Sequence, residues 1–201
     1  MSFLKNTRKP TGLGGKLMLN MMNLCHAPLA DWGMKCLPLP ADAKVLDCGC
    51  GGGANMKRLL KKCPQGIVKG IDYSPVSVEK SKKVNEAAIT EDRCAVLQGS
   101  VADMMFADNW FDAVTAFETV YFWPDLPRCF REVHRVLKVG GTFLICNESN
   151  GDSDKDEKWT EIIGGMTIYK DIELKAYLEQ AGFHEVQIQK KKSWLCITAR
   201  K

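Results

Sequence analysis

The chain of 201 residues has little of several features that define other protein classes. No apolar run approaches the roughly 18–20 residues that a membrane-spanning helix needs. The first ten residues carry charge without an apolar stretch after them, so we expect no signal peptide. A net charge of +4 is too small to indicate a nucleic-acid partner by itself. The sequence also has no internal repeat and no low-complexity segment.

Cysteines are present, but not in the arrangements that build disulfide frameworks or zinc sites. Their number, nine, is odd, and no Cys-x-x-Cys pair occurs. Cys48, Cys146 and Cys196 lie within apolar, strand-like runs. We therefore interpret the cysteines as reduced thiols of a cytoplasmic protein. The three histidines are scattered and not spaced as ligands, so we predict no metal site.

Length and composition predict one globular domain over residues 1–201, since 45% of residues are apolar and 26% charged. Within it, short apolar runs alternate with helical patterns. Strands are predicted at 43–48, 67–71, 94–98, 111–117 and 142–146. Helices are predicted at 55–62, from 75 to about 88, and at 126–137, where Gly140-Gly141 ends the last one. This alternation is typical of a parallel sheet covered on both faces.

The two ends of the chain differ from this pattern. Residues 184–189 alternate strictly and 194–199 are apolar, which predicts an antiparallel C-terminal hairpin after a helix at 171–181. The segment Asp152–Lys158 is charged and is predicted to be a solvated loop. A helix is predicted over about 16–30, broken or ended near Pro28 and Gly33. Its two apolar stripes indicate either packing on the sheet edge or a lid over a ligand.

The stretch Lys44–Ala54 carries the strongest functional signal. An apolar strand ends near Asp47, four glycines follow, and a helical pattern then begins. Glycines allow a tight turn and close approach of a ligand, and the helix start offers free N–H groups. The turn also matches the dinucleotide pattern G-x-G-x-x-G/A, with Asp72 about 20 residues later. Taken alone, it permits NAD as well as other cofactors.

Five segments resemble, in order, the motifs of class I S-adenosylmethionine-dependent methyltransferases. They are 45–53 with the acid Asp47 before the glycine turn, 70–74, 99–112, 130–143, and 181–183 with the final hairpin. The resemblance covers about residues 40–200. It implies a Rossmann-like α/β fold with a seven-stranded sheet of order 3-2-1-4-5-7-6. Residues 9–15 and 21–26 more weakly resemble the N-terminal cap of small bacterial methyltransferases of unassigned substrate, so we expect residues 1–40 to form a helical cap.

The resemblance implies S-adenosylmethionine as the cofactor and assigns roles to residues of this sequence. Asp72 would accept hydrogen bonds from both ribose hydroxyls, or else only cap the next helix. Tyr73 would cover one face of adenine, or else be a surface aromatic. Asp47 would orient the glycine turn (Gly49, Cys50 and Gly51) and the cofactor's amino group, directly or through water.

Three further cofactor contacts follow from the same resemblance. The family often has an acid that meets the adenine amino group after the third strand, but this chain has Ser100 there, followed by Val101. We therefore expect a weaker or water-mediated contact at that position. The backbone of Phe117, at the end of the fourth strand, would hold the methionine end.

Methyl transfer requires mainly that donor and nucleophile are held in line, because the sulfonium methyl is already activated. A general base is needed only for a weakly acidic nucleophile. The candidates are His26, Glu118 and Tyr121; for His26, a capping or packing role is the alternative, and the sequence favours it at least as much. The chain has no large inserted domain, so we expect a small-molecule acceptor, and the aromatic residues 117 and 121–123 favour an apolar or planar one unless they only pack the core.

Two other functions stay open at the level of sequence. An NAD-dependent oxidoreductase is disfavoured by Asp47 and the terminal hairpin. A methyltransferase-like domain that acts on RNA, or binds without turnover, is the second alternative. We expect no membrane partner and no nucleic acid for the main hypothesis, and either a monomer or a homodimer.

Overall fold

The computed structural model describes residues 25–201, apart from the side chains of residues 154, 155 and 157. Its described part contains one seven-stranded sheet with the order β3-β2-β1-β4-β5-β7-β6. The strands are β1 Lys44–Cys48, β2 Ile67–Asp72, β3 Cys94–Gln98, β4 Phe111–Phe117, β5 Leu137–Asn147, β6 His184–Lys191 and β7 Trp194–Arg200. The predicted strand order and antiparallel C-terminal hairpin are confirmed.

The central strands are parallel and in register, which brings their carboxyl ends to one edge. Val45 of β1 is paired with Val68 of β2 on one side and with Ala113 of β4 on the other. β7 runs antiparallel to both β5 and β6. The chain segments that leave β1, β2, β3, β4 and β5 therefore meet at the same edge of the sheet, where ligands bind in open α/β sheets.

Helices cover both faces of the sheet. They are α1 Ala27–Gly33, α2 Ala54–Lys62, α3 Pro75–Val84, α4 Glu86–Thr90, α5 Leu126–Val136, α6 Asp154–Ile162 and α7 Asp171–Gln180, with short 3₁₀ turns at Met34–Cys36 and Val120–Phe122. One core cluster joins α5 and α7 to the sheet through residues such as Phe130 and Leu178, and a second joins α1 and α2 through Leu29 and Leu59. Among residues 25–201, no helix is both long and apolar enough to cross a bilayer.

The predicted loop at Asp152–Lys158 is wrong, because α6 begins at Asp154. The Asp156 carboxylate accepts hydrogen bonds from the backbone N–H groups of Gly151 (3.1 Å) and Ser153 (3.4 Å). Acidic residues at this place therefore belong to a helix N-terminus, where negative charge is favourable.

The predicted helix from Pro75 to about Ala88 is two helices, α3 and α4, separated at Asn85. The Asn85 amide nitrogen donates to the carbonyl oxygens of Gly53 (3.1 Å) and Ser81 (3.0 Å). The break thus ties α3 to the glycine turn.

We predicted that Gly140-Gly141 ends the preceding helix, and this prediction is wrong. That helix, α5, ends at Val136, and β5 begins at once with Leu137. Gly140 has φ +76°, and the pairing of β4 with β5 shifts register in this region, between Phe111 and Ala113. A glycine pair at a bulge and one at a helix end are alike in sequence, which explains the error.

Only part of the predicted helix over 16–30 can be compared, since residues 16–24 lie outside the described range. The helix that is described, α1, has Pro28 in its first turn and ends at Gly33. Gly33 lies against β4 and β5: a Cβ there would be 2.6 Å from the Cys146 sulfur and 3.2 Å from the Phe117 ring. His26 precedes this helix at its N-cap position, and its side chain makes no capping hydrogen bond.

Candidate active site

A cavity of about 290 Å³ lies at the carboxyl edge of the sheet. The glycine turn forms one wall, the loops after β2 and β3 another, and α1 with the segment after β4 the rest. Of the sequence-predicted residues, those that line the cavity are His26, Gly49, Cys50, Gly51, Asp72, Tyr73, Ser100, Val101, Phe117 and Glu118. Asp47 and Tyr121 lie just outside the lining.

The glycine turn is held by backbone hydrogen bonds to the next strand. The N–H groups of Gly49 and Cys50 both donate to the Ile71 carbonyl, at 2.8 and 3.1 Å. Gly49 has φ +72°, and a Cβ there would collide with the Thr119 side chain. Glycine is therefore required here for conformation and for space.

Asp72 joins the turn to the cavity. One of its carboxylate oxygens accepts from the N–H of Gly51 and the other from the N–H of Ser74, both at 2.9 Å. Burial raises the pKa of Asp72, while these two hydrogen bonds oppose the rise. Ser74 itself caps α3 by accepting from Ser77 N–H. Both sequence readings of Asp72, a ligand-facing acid and a local cap, are thus compatible with its position.

Asp47 is buried behind the turn, with 1% of its surface exposed. The Thr115 hydroxyl donates to its carboxylate at 2.8 Å. Burial raises the pKa of Asp47 to about 7; the hydrogen bond from Thr115 lowers it, and the nearby Asp72 raises it further.

The loops after β2 and β3 and the end of β4 supply further lining of the cavity. Tyr73 is 40% exposed, so its ring is accessible at the rim. The Ser100 hydroxyl accepts from the backbone N–H of Ala102 at 3.2 Å. Val101 and Phe117 are both buried and contribute apolar surface.

A cluster of titratable groups lies at the end of the cavity next to α1. Glu118 directly follows β4 with φ +57°, a conformation that residues other than glycine rarely adopt. Its Oε1 accepts from the Glu148 N–H and, at 3.3 Å, from the Tyr121 hydroxyl. His26 Nε2 is 3.9 Å from Glu118 Oε2 and 3.7 Å from Glu148 Oε2. Two predicted candidates, His26 and Glu118, are thus brought together at the cavity, and Tyr121 supports one of them from behind.

The environment shifts the protonation of this cluster. Burial raises the pKa of Glu118 to about 8, and the hydrogen bond from Glu148 N–H opposes the rise. Burial lowers the pKa of His26, although the charge of Glu148 raises it. Burial and the charge of Glu118 raise the pKa of Tyr121. A neutral imidazole beside a carboxyl group that titrates near neutrality is suited to accept or hold a proton.

Sequence reasoning did not single out several residues of the cavity region. Leu29, Ala30 and Thr119 line the cavity, and Glu148 adjoins it after β5. Glu148 could have been recognised as a candidate from its sequence position, since it directly follows a buried strand just as Glu118 does. Of the aromatic residues, Phe122 and Trp123 line the cavity, and Trp123 also stacks on Phe143 in the core at 6.2 Å.

The comparisons with known proteins agree with this geometry. The family described as a methyltransferase domain matches residues 46–145, about half of the chain. Cycloartenol-C-24-methyltransferase 1 of Oryza sativa is 34% identical over 51% of this chain and 29% of its own length. The putative methyltransferase YrhH of Bacillus subtilis is 27% identical over 79% of this chain and 78% of its own.

Among solved structures, the fold matches a putative methyltransferase in complex with the Trm112 methyltransferase activator from Haloferax volcanii. The TM-score is 0.80 at 21% identity, over 91% of this chain and 93% of that one. The chain spans less than half the length of the sterol methyltransferases that it matches.

The described residues fit the cofactor that this family uses. The Asp72 carboxylate lines the cavity, and besides the N–H groups of Gly51 and Ser74 and the Ser77 side chain it can accept a further hydrogen bond. The predicted family and its cofactor, S-adenosylmethionine, are therefore confirmed. The chain belongs to the class I S-adenosylmethionine-dependent methyltransferases.

Proposed function

We propose that this protein transfers a methyl group from S-adenosylmethionine to a small-molecule acceptor. The observation that carries the proposal is that one cavity is lined both by the glycine turn and Asp72 and by His26 and Glu118. The cofactor, when bound, supplies a methyl group on a sulfonium, which needs no further activation. The chain's own residues then have to hold donor and acceptor in line and to exclude water.

The cofactor end is formed by residues of β1, β2 and the loops that follow them. We assign the ribose hydroxyls to the Asp72 carboxylate, because its oxygens retain acceptor capacity on the cavity side. The exposed ring of Tyr73 is assigned to one face of adenine, with Ser100 and Val101 near its edge. Asp47, buried below the turn, supports the turn and attracts the cationic amino group.

The methionine end and the acceptor end meet near the end of β4. The backbone of Phe117 is assigned to the methionine end, since Phe117 lines the cavity and directly precedes Glu118. His26 and Glu118 are proposed to contact the acceptor, and Tyr121 to position Glu118 through its hydroxyl. A carboxyl group whose pKa lies near 8 can take a proton from an acceptor of comparable acidity.

A small acceptor is supported by the size and walls of the cavity. The cofactor would occupy part of the cavity of about 290 Å³, which leaves room for a small acceptor only. Leu29, Phe122 and Trp123 add apolar surface, which favours an apolar or planar acceptor. We also propose that residues 1–40 act as a cap on a single domain, with α1 as the described part of that cap.

Calorimetric titration with S-adenosylmethionine and with NAD tests the cofactor assignment. We expect binding of S-adenosylmethionine and no heat from NAD, and the opposite result would refute the proposal. Transfer of isotope-labelled methyl groups should then be measured with small-molecule and macromolecular fractions of a cell extract. Label in the small-molecule fraction supports the proposal, whereas label in RNA alone would favour the RNA-directed alternative.

A further inference from the structure

Three metal-ligating side chains converge beside the cavity. His26 precedes α1, Glu118 follows β4 and Glu148 follows β5, and one ligand atom from each lies within 4.8 Å of the other two. The distances from His26 Nε2 to the two carboxylate oxygens, 3.9 and 3.7 Å, are longer than a hydrogen bond. The three groups therefore face a shared space rather than bonding directly to one another.

The separations suit a common cation. A metal about 2.1 Å from each ligand atom requires ligand atoms about 3 to 4 Å apart. The Glu148 side chain is 55% exposed, so a rotation of that side chain can close the remaining difference. We propose that His26, Glu118 and Glu148 form a binding site for a divalent transition-metal cation.

The hydrogen bonds around Glu118 orient it for this role. Its Oε1 accepts hydrogen bonds from the Glu148 N–H and from the Tyr121 hydroxyl. Its Oε2 is the atom that faces His26. Tyr121 is held in turn by Ser149, whose N–H donates to the Tyr121 oxygen at 2.9 Å. Such supporting bonds fix a ligand carboxylate in one orientation, as outer-shell partners of metal ligands do.

The ligand set indicates the class of metal. One imidazole and two carboxylates suit Mn²⁺, Fe²⁺ or Zn²⁺, and open coordination positions would face the cavity. There the cation would bind an oxygen or nitrogen of the acceptor and lower its pKa, which is a recognised role of metal ions in catalysis. This role rests on the proposed function, whereas cation binding itself does not. From the sequence we predicted no metal site, because these three ligands are far apart along the chain.

Binding of Mn²⁺ to the metal-free full-length chain tests the proposal. Mn²⁺ is the suitable probe because the cysteines compete for Zn²⁺ but not for a harder cation. Electron paramagnetic resonance reports free Mn²⁺, so a titration gives the affinity directly. We expect one site per chain. Glu148→Gln should weaken binding at least tenfold, and His26→Ala should do the same.

Glu161→Gln is the matched control, since it removes an exposed carboxylate from α6, away from the cavity. It should bind Mn²⁺ as the wild type does. Glu148→Gln should also keep the wild-type affinity for S-adenosylmethionine, which verifies that it folds. Wild-type protein without a specific Mn²⁺ site, or Glu148→Gln with undiminished Mn²⁺ affinity, would overturn the metal site. Mn²⁺ binding without S-adenosylmethionine binding would instead support the metal site and refute the proposed function.

Discussion

Replacing Asp47 by asparagine should make the protein more stable at alkaline pH. The pKa of Asp47 rises from 3.8 to about 7 on folding, chiefly through burial. Each pKa unit corresponds to about 1.36 kcal/mol, so about three units amount to about 4 kcal/mol. Because the folded state holds the proton more tightly than the unfolded chain, stability is lost as the pH rises from about 4 to about 7. Asparagine carries no such penalty.

Urea unfolding of the cofactor-free protein at pH 5 and pH 8 measures this effect. We expect the free energy of unfolding of Asp47→Asn to be higher than that of the wild type by up to about 4 kcal/mol at pH 8. At pH 5 the difference should be about 2 kcal/mol or less. Asp42→Asn is the matched control, because Asp42 is exposed just before β1. A wild-type protein with equal stability at both values, or an Asp47→Asn variant that is less stable at pH 8, would refute the reasoning.

The same substitution separates stability from binding. If the Asp47 carboxylate attracts the cofactor's ammonium group, the affinity of wild-type protein for S-adenosylmethionine should rise as the pH passes through about 7. The affinity of Asp47→Asn should be lower and should lack this rise. Calorimetry over the same pH range provides the measurement, and equal affinities for the two proteins would remove the assigned role.

Three other substitutions test separate parts of the structure. Asp72→Asn should weaken S-adenosylmethionine binding about 10- to 100-fold by calorimetry, because hydrogen bonds to a charged group contribute about 1.5–3 kcal/mol; unchanged affinity would contradict the ribose assignment. Gly49→Ala should cost about 1–3 kcal/mol in urea unfolding, since its φ is +72° and its Cβ would meet Thr119, and a neutral result would show that the turn can adapt. Arg135→Ala should cost about 1–3 kcal/mol, because Arg135 donates to the carbonyl oxygens of Met104 and Phe106 at 2.8 and 2.7 Å; Arg135→Lys should recover only part of the loss, and full recovery would contradict the role of the forked guanidinium.

The fold was largely predictable because its signals are local. β3 and β4 have the predicted bounds, and most other predicted strands and helices differ from the observed ones by one or two residues. Parallel strands buried on both faces are continuously apolar, and helices between them have one apolar face, so the two patterns are easily told apart. The errors fall where one residue type serves two structures. Gly140 fits a helix end as well as a bulge, and the acids near Asp156 fit a loop as well as a helix start.

The site was predictable only in the part that a short motif encodes. The glycine turn and Asp72 are separated by the number of residues that the motif requires, and the structure brings both to the cavity. The cluster of His26, Glu118 and Glu148 depends on segments that meet only after folding. Glu118 and Tyr121 were candidates because they follow a strand, but nothing local in the sequence indicated that Glu148 would lie 3.7 Å from His26. Nor did it show that Asp47 lies behind the turn rather than in the cavity wall.

The link between Asn85 and Gly53 has a consequence for how this sequence can diverge. The Asn85 amide bonds the Gly53 carbonyl, and a Cβ at Gly53 would lie 2.6 Å from both the Asn85 amide and the Ser81 hydroxyl. No one of the three positions can change freely without the other two. Among homologous sequences, residues 53, 81 and 85 should therefore vary together. A change in the glycine turn would then be accompanied by a change at the break between α3 and α4.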